Sequence, residues 1–290
     1  MQASVNIDSE KPSGVTPPSG APVSAPALRR DEDFPDSEQD RNFVTALARG
    51  MELLRCFSPL QSVMGNQDLA AMTGLPKATV SRLTHTLSKL GYLRKHPHSG
   101  KYQLDVGVLS FGYQMLSNLP IRAIANPFMV ELAQYSHAAV ALAARSRLQM
   151  VYVDVAHGQE NLTTRRQVGY HMPIHLTSIG RAFMAAMPDA ERDLVLDRIR
   201  DSFAADWLDI RRGLERAFRD YADYGYCLSI GEWERDVNSV GVPFIHPELG
   251  TFAFNCGGPS FVLPRDKLED DIGPRLKHMV SQMGGKKRWP

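Results

Sequence analysis

Cysteine is scarce in this chain of 290 residues: Cys56, Cys227 and Cys256 are widely spaced and form no CxxC pair. That spacing excludes a disulfide framework and suits a reducing, cytoplasmic setting. No apolar run approaches the roughly 20 residues that cross a bilayer, so no membrane partner is expected. The first residues carry neither the basic start nor the apolar stretch of a secretion signal. Also missing are a phosphate-binding glycine loop, a metal-ligand cluster, and a nucleophile with an orienting base. Their absence argues against an enzyme and implies no cofactor and no metal. His171 and His175 are four apart, but Pro173 puts them in a loop rather than on one helix face, so structural or pocket-lining roles are expected. Glu232, Glu234 and Asp236 lack a catalytic partner at useful spacing and read as a solvated loop.

Net charge is nearly absent as well, at +1, until the chain is divided. Residues 1–40 hold three basic side chains against eight acidic ones, residues 41–105 nine against three, and residues 106–290 balance at 21 each. A basic module joined to a neutral one is the footprint of a nucleic-acid binder. The acidic segment has six prolines and a single aromatic residue, Phe34. It cannot bury enough apolar surface to offset its ordering entropy, so residues 1–40 are expected to be a disordered tail.

Residues 41–105 read as helix, helix-turn-helix and basic hairpin. The first helix has Phe43, Leu47, Met51, Leu54 and Phe57 on one stripe. Asn66 suits the N-cap of a short helix ending at Gly74, and Pro76 suits the start of the next, which stops at Gly91. In that helix Val80, Leu83, Leu87 and Leu90 face a core, while Ser81, Arg82, His85 and Lys89 fall on the opposite arc without one acidic residue. YLRKH and KYQLD, joined by PHSG, form a wing carrying Arg94, Lys95 and Lys101. In a helix-turn-helix the second helix enters the major groove. Arg82 suits bidentate pairing with guanine, Ser81 and His85 suit base edges or phosphates, and Lys77, Thr79, Lys89 and the wing cations suit the backbone.

Residues 106–120 read as a linker helix whose stripe Val108, Phe111 and Met115 would pair two chains. Residues 121–284 alternate strand-like runs (AVALAARS, MVYVDVA, NLTTRRQV), three helices, three more strands and a final helix after Pro264. That order implies an α+β domain with one antiparallel sheet; residues 285–290 remain as a tail. In GYHMPIHLTSIGRAFMAAMP, Thr177 should cap a helix whose first amides, at Ser178, Ile179 and Gly180, make a carboxylate site.

The segment Phe43–Leu104, including LPKATVSRLTHTLSKLGYL, resembles the IclR family of bacterial transcriptional regulators. So do VGYHMPIHLTSIGRAFMA (Val168–Ala185), GYCLSIGEWERDVNSVGVPF (Gly225–Phe244) and FNCGGPS (Phe254–Ser260). The resemblance implies a winged helix-turn-helix, a dimerising linker helix and a GAF/profilin-like effector domain that binds a small molecule. It places the effector at Thr164, Met172, Ser178, Ile179, Ser229, Val242, Phe244 and Asn255. Ser229 and Gly257 depart from the acidic residue and the hydroxyl common there in the family. With Tyr170 and Phe244 near, an aromatic or short aliphatic carboxylate is the expected ligand. The combined reading is a ligand-responsive repressor, with an activator the alternative and an enzyme less favoured. It would bind a pseudo-palindromic operator in double-stranded DNA as a homodimer or homotetramer.

Overall fold

The computed structural model describes residues 41–158 and 166–284. The segment 1–40, the tail 285–290 and the candidate ligand residue Thr164 lie outside the described residues. The N-terminal unit contains α1 (Thr45–Arg55), α2 (Asn66–Thr73), α3 (Lys77–Lys89) and the hairpin β1 (Leu93–Lys95) with β2 (Tyr102–Leu104). Leu53, Met64, Leu69, Val80, Leu87 and Leu93 close its core. Fully burying a side chain of the size of Val80 or Leu87 stabilises by roughly 1.5–3 kcal/mol.

Three expectations for this unit need correction. The core side of α1 is Gly50 and Leu53, flanked by Leu54 and Phe57, whereas Leu47 and Met51 are 65% and 51% exposed. The helix meets α3 through a small residue, which rotates the Leu47–Met51 line outward. Leu90 is exposed, and Thr84 takes its place in the core, its hydroxyl 3.2 Å from Asn66 Oδ1 and 3.0 Å from the Val80 carbonyl. Asn66 is thus the first residue of α2 rather than its cap; the Asp68 carboxylate accepts instead from the Gly65 N–H at 2.9 Å.

The linker helix α4 (Gly107–Ser117) buries nothing. Val108 is half-covered, Leu116 and Leu119 pack on the following domain, and Val106, Leu109, Phe111, Tyr113 and Met115 face outward. The apolar surface is therefore broader than the three-residue stripe. No helix among the described residues is long and apolar enough to cross a membrane.

The C-terminal domain is α+β, a curled six-stranded antiparallel sheet between two helical layers. Its strands are β3 (Ala139–Ser146), β4 (Gln149–His157), β5 (His171–Pro173), β6 (Cys227–Ile230), β7 (Val237–His246) and β8 (Gly250–Pro259), ordered β5-β4-β3-β8-β7-β6. One face carries α5 (Pro120–Ser136) and α10 (Gly273–Gln282), which follows a short turn α9 (Arg265–Lys267) and a π-turn at Leu268–Ile272. The other carries α6 (Ser178–Ala185), α7 (Asp189–Ser202) and α8 (Trp207–Tyr224). Of the strand expected over NLTTRRQV, Arg166–Val168 are not in a strand and the rest lies outside the described residues; the edge strand is β5. The two units touch where Arg147, at the β3–β4 turn, donates to Glu52 of α1 at 2.8 Å.

Candidate functional site

Gly74, with φ +57°, turns α2 into α3, a left-handed conformation that disfavours side chains with a Cβ. The turn sets α3 across the unit with Val80 and Thr84 fully buried. Its outer face then exposes Lys77, Ser81, Arg82, His85 and Lys89, with Thr79 half-covered at the start. Neither Arg82 nor His85 is packed inside the protein. On the wing, Arg94, Lys95 and Lys101 are exposed beside the edge-on pair His96 and His98. Two wing cations already have counter-ions: Lys101 lies 3.3 Å from Asp68, and Arg94 lies 3.8 Å from Asp105. The Gly65 amide and then Lys101 hold the Asp68 carboxyl below its usual range. Both pairs face water, where such bridges are weak, so phosphate oxygens could exchange with the carboxylates.

Strand alternation divides the expected effector residues between two faces. Val242 pairs with Phe254 and Phe244 with Phe252, and all four enter the core under α5 and α10. Val242 and Phe244 therefore cannot line a site with α6, which corrects that part of the expected set. On the α6 face lie Met172, Ile179, Ser178, Ser229 and Asn255. Ser178 donates to Ser239 Oγ at 2.8 Å, Ser229 donates to the Leu176 carbonyl at 2.8 Å, and Asn255 lies 3.3 Å from the Tyr152 hydroxyl. Thr177 caps α6 as expected by accepting from the Gly180 N–H at 3.3 Å. The helix start is closed, however. Gly241 lets β7 approach so closely that a Cβ there would stand 2.4 Å from the Ser178 carbonyl oxygen, and Ser178 and Ile179 are fully buried.

Several residues around this face escaped the sequence reading. Glu232 and Glu234 are not a solvated loop: Glu232 pairs with the buried Arg181 and with Arg216, and Glu234 with Arg166. Arg181, 1% exposed, also donates to the carbonyls of His175 at 3.0 Å and Leu228 at 3.1 Å. The only signal for these pairs in the sequence is arginines and glutamates at distant positions in a segment with no net charge. His171 lies 2.8 Å from Gln149, whereas His175 is buried against the Phe203 ring at 4.5 Å, so the two imidazoles face different partners.

Burial, helped by the Arg181 charge, pushes the His175 imidazole down to about 4. In the unfolded chain it takes its proton near 6.5. Between those values the unfolded state binds more protons, so stability is full above pH 6.5 and falls as pH drops towards 4. The expected loss is about 3 kcal/mol. Unfolding midpoints measured across this window should fall less steeply for His175→Leu than for the native chain; parallel curves would refute the assignment.

The chain matches two family models: the IclR helix-turn-helix domain over residues 46–97 and the bacterial transcriptional regulator IclR C-terminal domain over residues 113–283. It is 36% identical to the HTH-type transcriptional regulator TsaQ1/TsaQ2 of Comamonas testosteroni, covering 87% of this chain and 91% of the relative. The crystal structure of an IclR family transcriptional regulator from Brucella abortus is 61% identical with a TM-score of 0.80, covering 85% of this chain and 94% of that one. A p-hydroxybenzoate hydroxylase transcriptional activator of Acinetobacter baylyi is 24% identical, covering 83% of this chain and 91% of the relative.

Proposed function

Since this chain belongs to the IclR family of bacterial transcriptional regulators, we propose that it binds operator DNA through α3 and the wing and responds to a small carboxylic acid held on the α6 face. The observation that carries this reading is the exposed outer face of α3, which holds Lys77, Ser81, Arg82, His85 and Lys89 without a carboxylate. The apolar surface of α4 supports a homodimer or a higher assembly, and a two-fold dimer matches half-sites about one helical turn, or a multiple, apart. Repression needs only occupancy of the operator and is the proposed sign, with activation the alternative. No enzymatic step is proposed. The Arg147–Glu52 bridge offers a direct contact through which a change in the ligand domain reaches α1.

Arg82→Ala is the sharpest test. Losing a bidentate guanine contact costs about 1–3 kcal/mol, or roughly 5- to 150-fold in discrimination. Gel shifts on the upstream DNA of its own gene should show sequence preference lost while non-specific binding persists. Unchanged preference would overturn the assignment of α3. The same assay with a panel of carboxylic acids tests ligand response.

A further inference from the structure

The ligand-responsive reading leaves open which group takes the ligand's charge, and the following rests on that reading. Residues 166–170, just before β5, meet the segment joining β6 to β7. The Arg166 guanidinium lies 4.5 Å from the Trp233 ring centroid and 5.6 Å from that of Tyr170. Tyr170 is 6.2 Å from Trp233 and 6.3 Å from Tyr152, so three rings form a continuous wall. Tyr152 is buried and hydrogen-bonded to Asn255, which joins this wall to the α6 face. Aromatic pairs favour such separations, and Tyr170 and Trp233 are only half-buried, which leaves ring surface for a further aromatic group.

The counter-ion of Arg166 is asymmetric in its setting. Arg166 Nη2 donates to Glu234 Oε2 at 2.5 Å, yet the arginine side chain is 18% exposed and the glutamate 41%. The cation is held beside aromatic faces, while its partner is the more exposed of the two. A guanidinium has five N–H donors in a planar fork that suits both oxygens of a carboxylate. A carboxylate arriving from solvent could therefore replace Glu234 without exposing the arginine to an unpaired state.

We infer that Arg166 is the charge anchor of the effector site, that its ligand is an aromatic monocarboxylate stacked against Tyr170 and Trp233, and that Glu234 is an internal counter-ion which the ligand displaces. Displacement would release the β6–β7 loop, whose neighbouring Glu232 is tied to Arg181 of α6. Binding at the rim would thus reach the buried helix.

Competition gives the test its sign. Calorimetric titration of the full chain would use benzoate, its uncharged analogue benzamide, and ringless propionate. Benzoate should bind; benzamide should bind at least about tenfold more weakly, as loss of a charge-assisted bond implies, and propionate at least about tenfold more weakly because it lacks the ring's apolar area and stacking. Arg166→Gln should weaken benzoate by at least about tenfold, and Arg166→Lys should restore part of the loss. Glu234→Gln should tighten benzoate severalfold because the competitor is removed. A merely structural ion pair would not give this opposite response. Thermal unfolding of each variant reports whether the fold is intact. Absent benzoate binding, unchanged affinity in a folded Arg166→Gln, or weakened affinity in Glu234→Gln would overturn the inference. The ligand-responsive reading fails separately, if bound benzoate and every other acid of the panel leave operator affinity unchanged.

Discussion

Raising salt from 50 to 200 mM is expected to weaken DNA binding about a thousandfold if six phosphates are neutralised. Each neutralised phosphate releases condensed counter-ions, and added salt opposes that release. The exposed cations of α3 and the wing are Lys77, Arg82, Lys89, Arg94, Lys95 and Lys101, enough for six contacts in one protomer. Two of them, Arg94 and Lys101, must first leave Asp105 and Asp68; these water-facing pairs are themselves weak. Affinity measured by fluorescence anisotropy against the logarithm of salt concentration should fall on a line with slope of about −5 or steeper. A flat plot would remove the electrostatic basis of the DNA assignment.

Arg181→Ala is expected to destabilise the effector domain by about 3–5 kcal/mol, the usual cost of breaking a buried ion pair from one side. Burial alone would push the Glu232 carboxyl up, but the Arg181 hydrogen bond and charge, together with Arg216, outweigh it and hold the carboxyl below its usual range. Without the guanidinium, that carboxylate keeps only Arg216, and the carbonyls of His175 and Leu228 lose the hydrogen bonds Arg181 donates. For a domain of this size each kcal/mol moves the midpoint by about 2–4 °C, so calorimetry should show a fall of roughly 6–20 °C. Arg181→Met with Glu232→Gln should recover part of it, since volume is kept and no buried charge is left unpaired; Arg216, which loses Glu232, is exposed to water. A fall of only a degree or two in Arg181→Ala would mean that the pair contributes little.

The N-terminal unit was legible because its contacts are short in sequence. Helical spacing placed Val80 and Leu87 inside and Arg82 and His85 outside, Gly74 and Pro76 marked the turn, and the basic hairpin followed directly. Its errors arose where the choice among apolar residues depended on a neighbouring helix. Leu47 and Leu53 are equally apolar, and only the approach of α3 to Gly50 selects Leu53. Thr84 could fill a core position because Asn66 and the Val80 carbonyl lie within reach of its hydroxyl.

The C-terminal domain divides differently. From sequence alone came its α+β class, most of its strands and the Thr177 cap. Tertiary structure alone decided which residues face α6 and which face α5 and α10. A strand presents alternate residues to opposite faces, so the pairing of β7 with β8 sends Val242 and Phe244 under α5 and α10 while Asn255 meets Tyr152. Likewise, Arg166 and Glu234, or Arg181 and Glu232, are only isolated charges until folding brings distant loops together. Local periodicity is written into neighbouring residues, but the partner of a buried charge is set by the register and packing of the whole sheet.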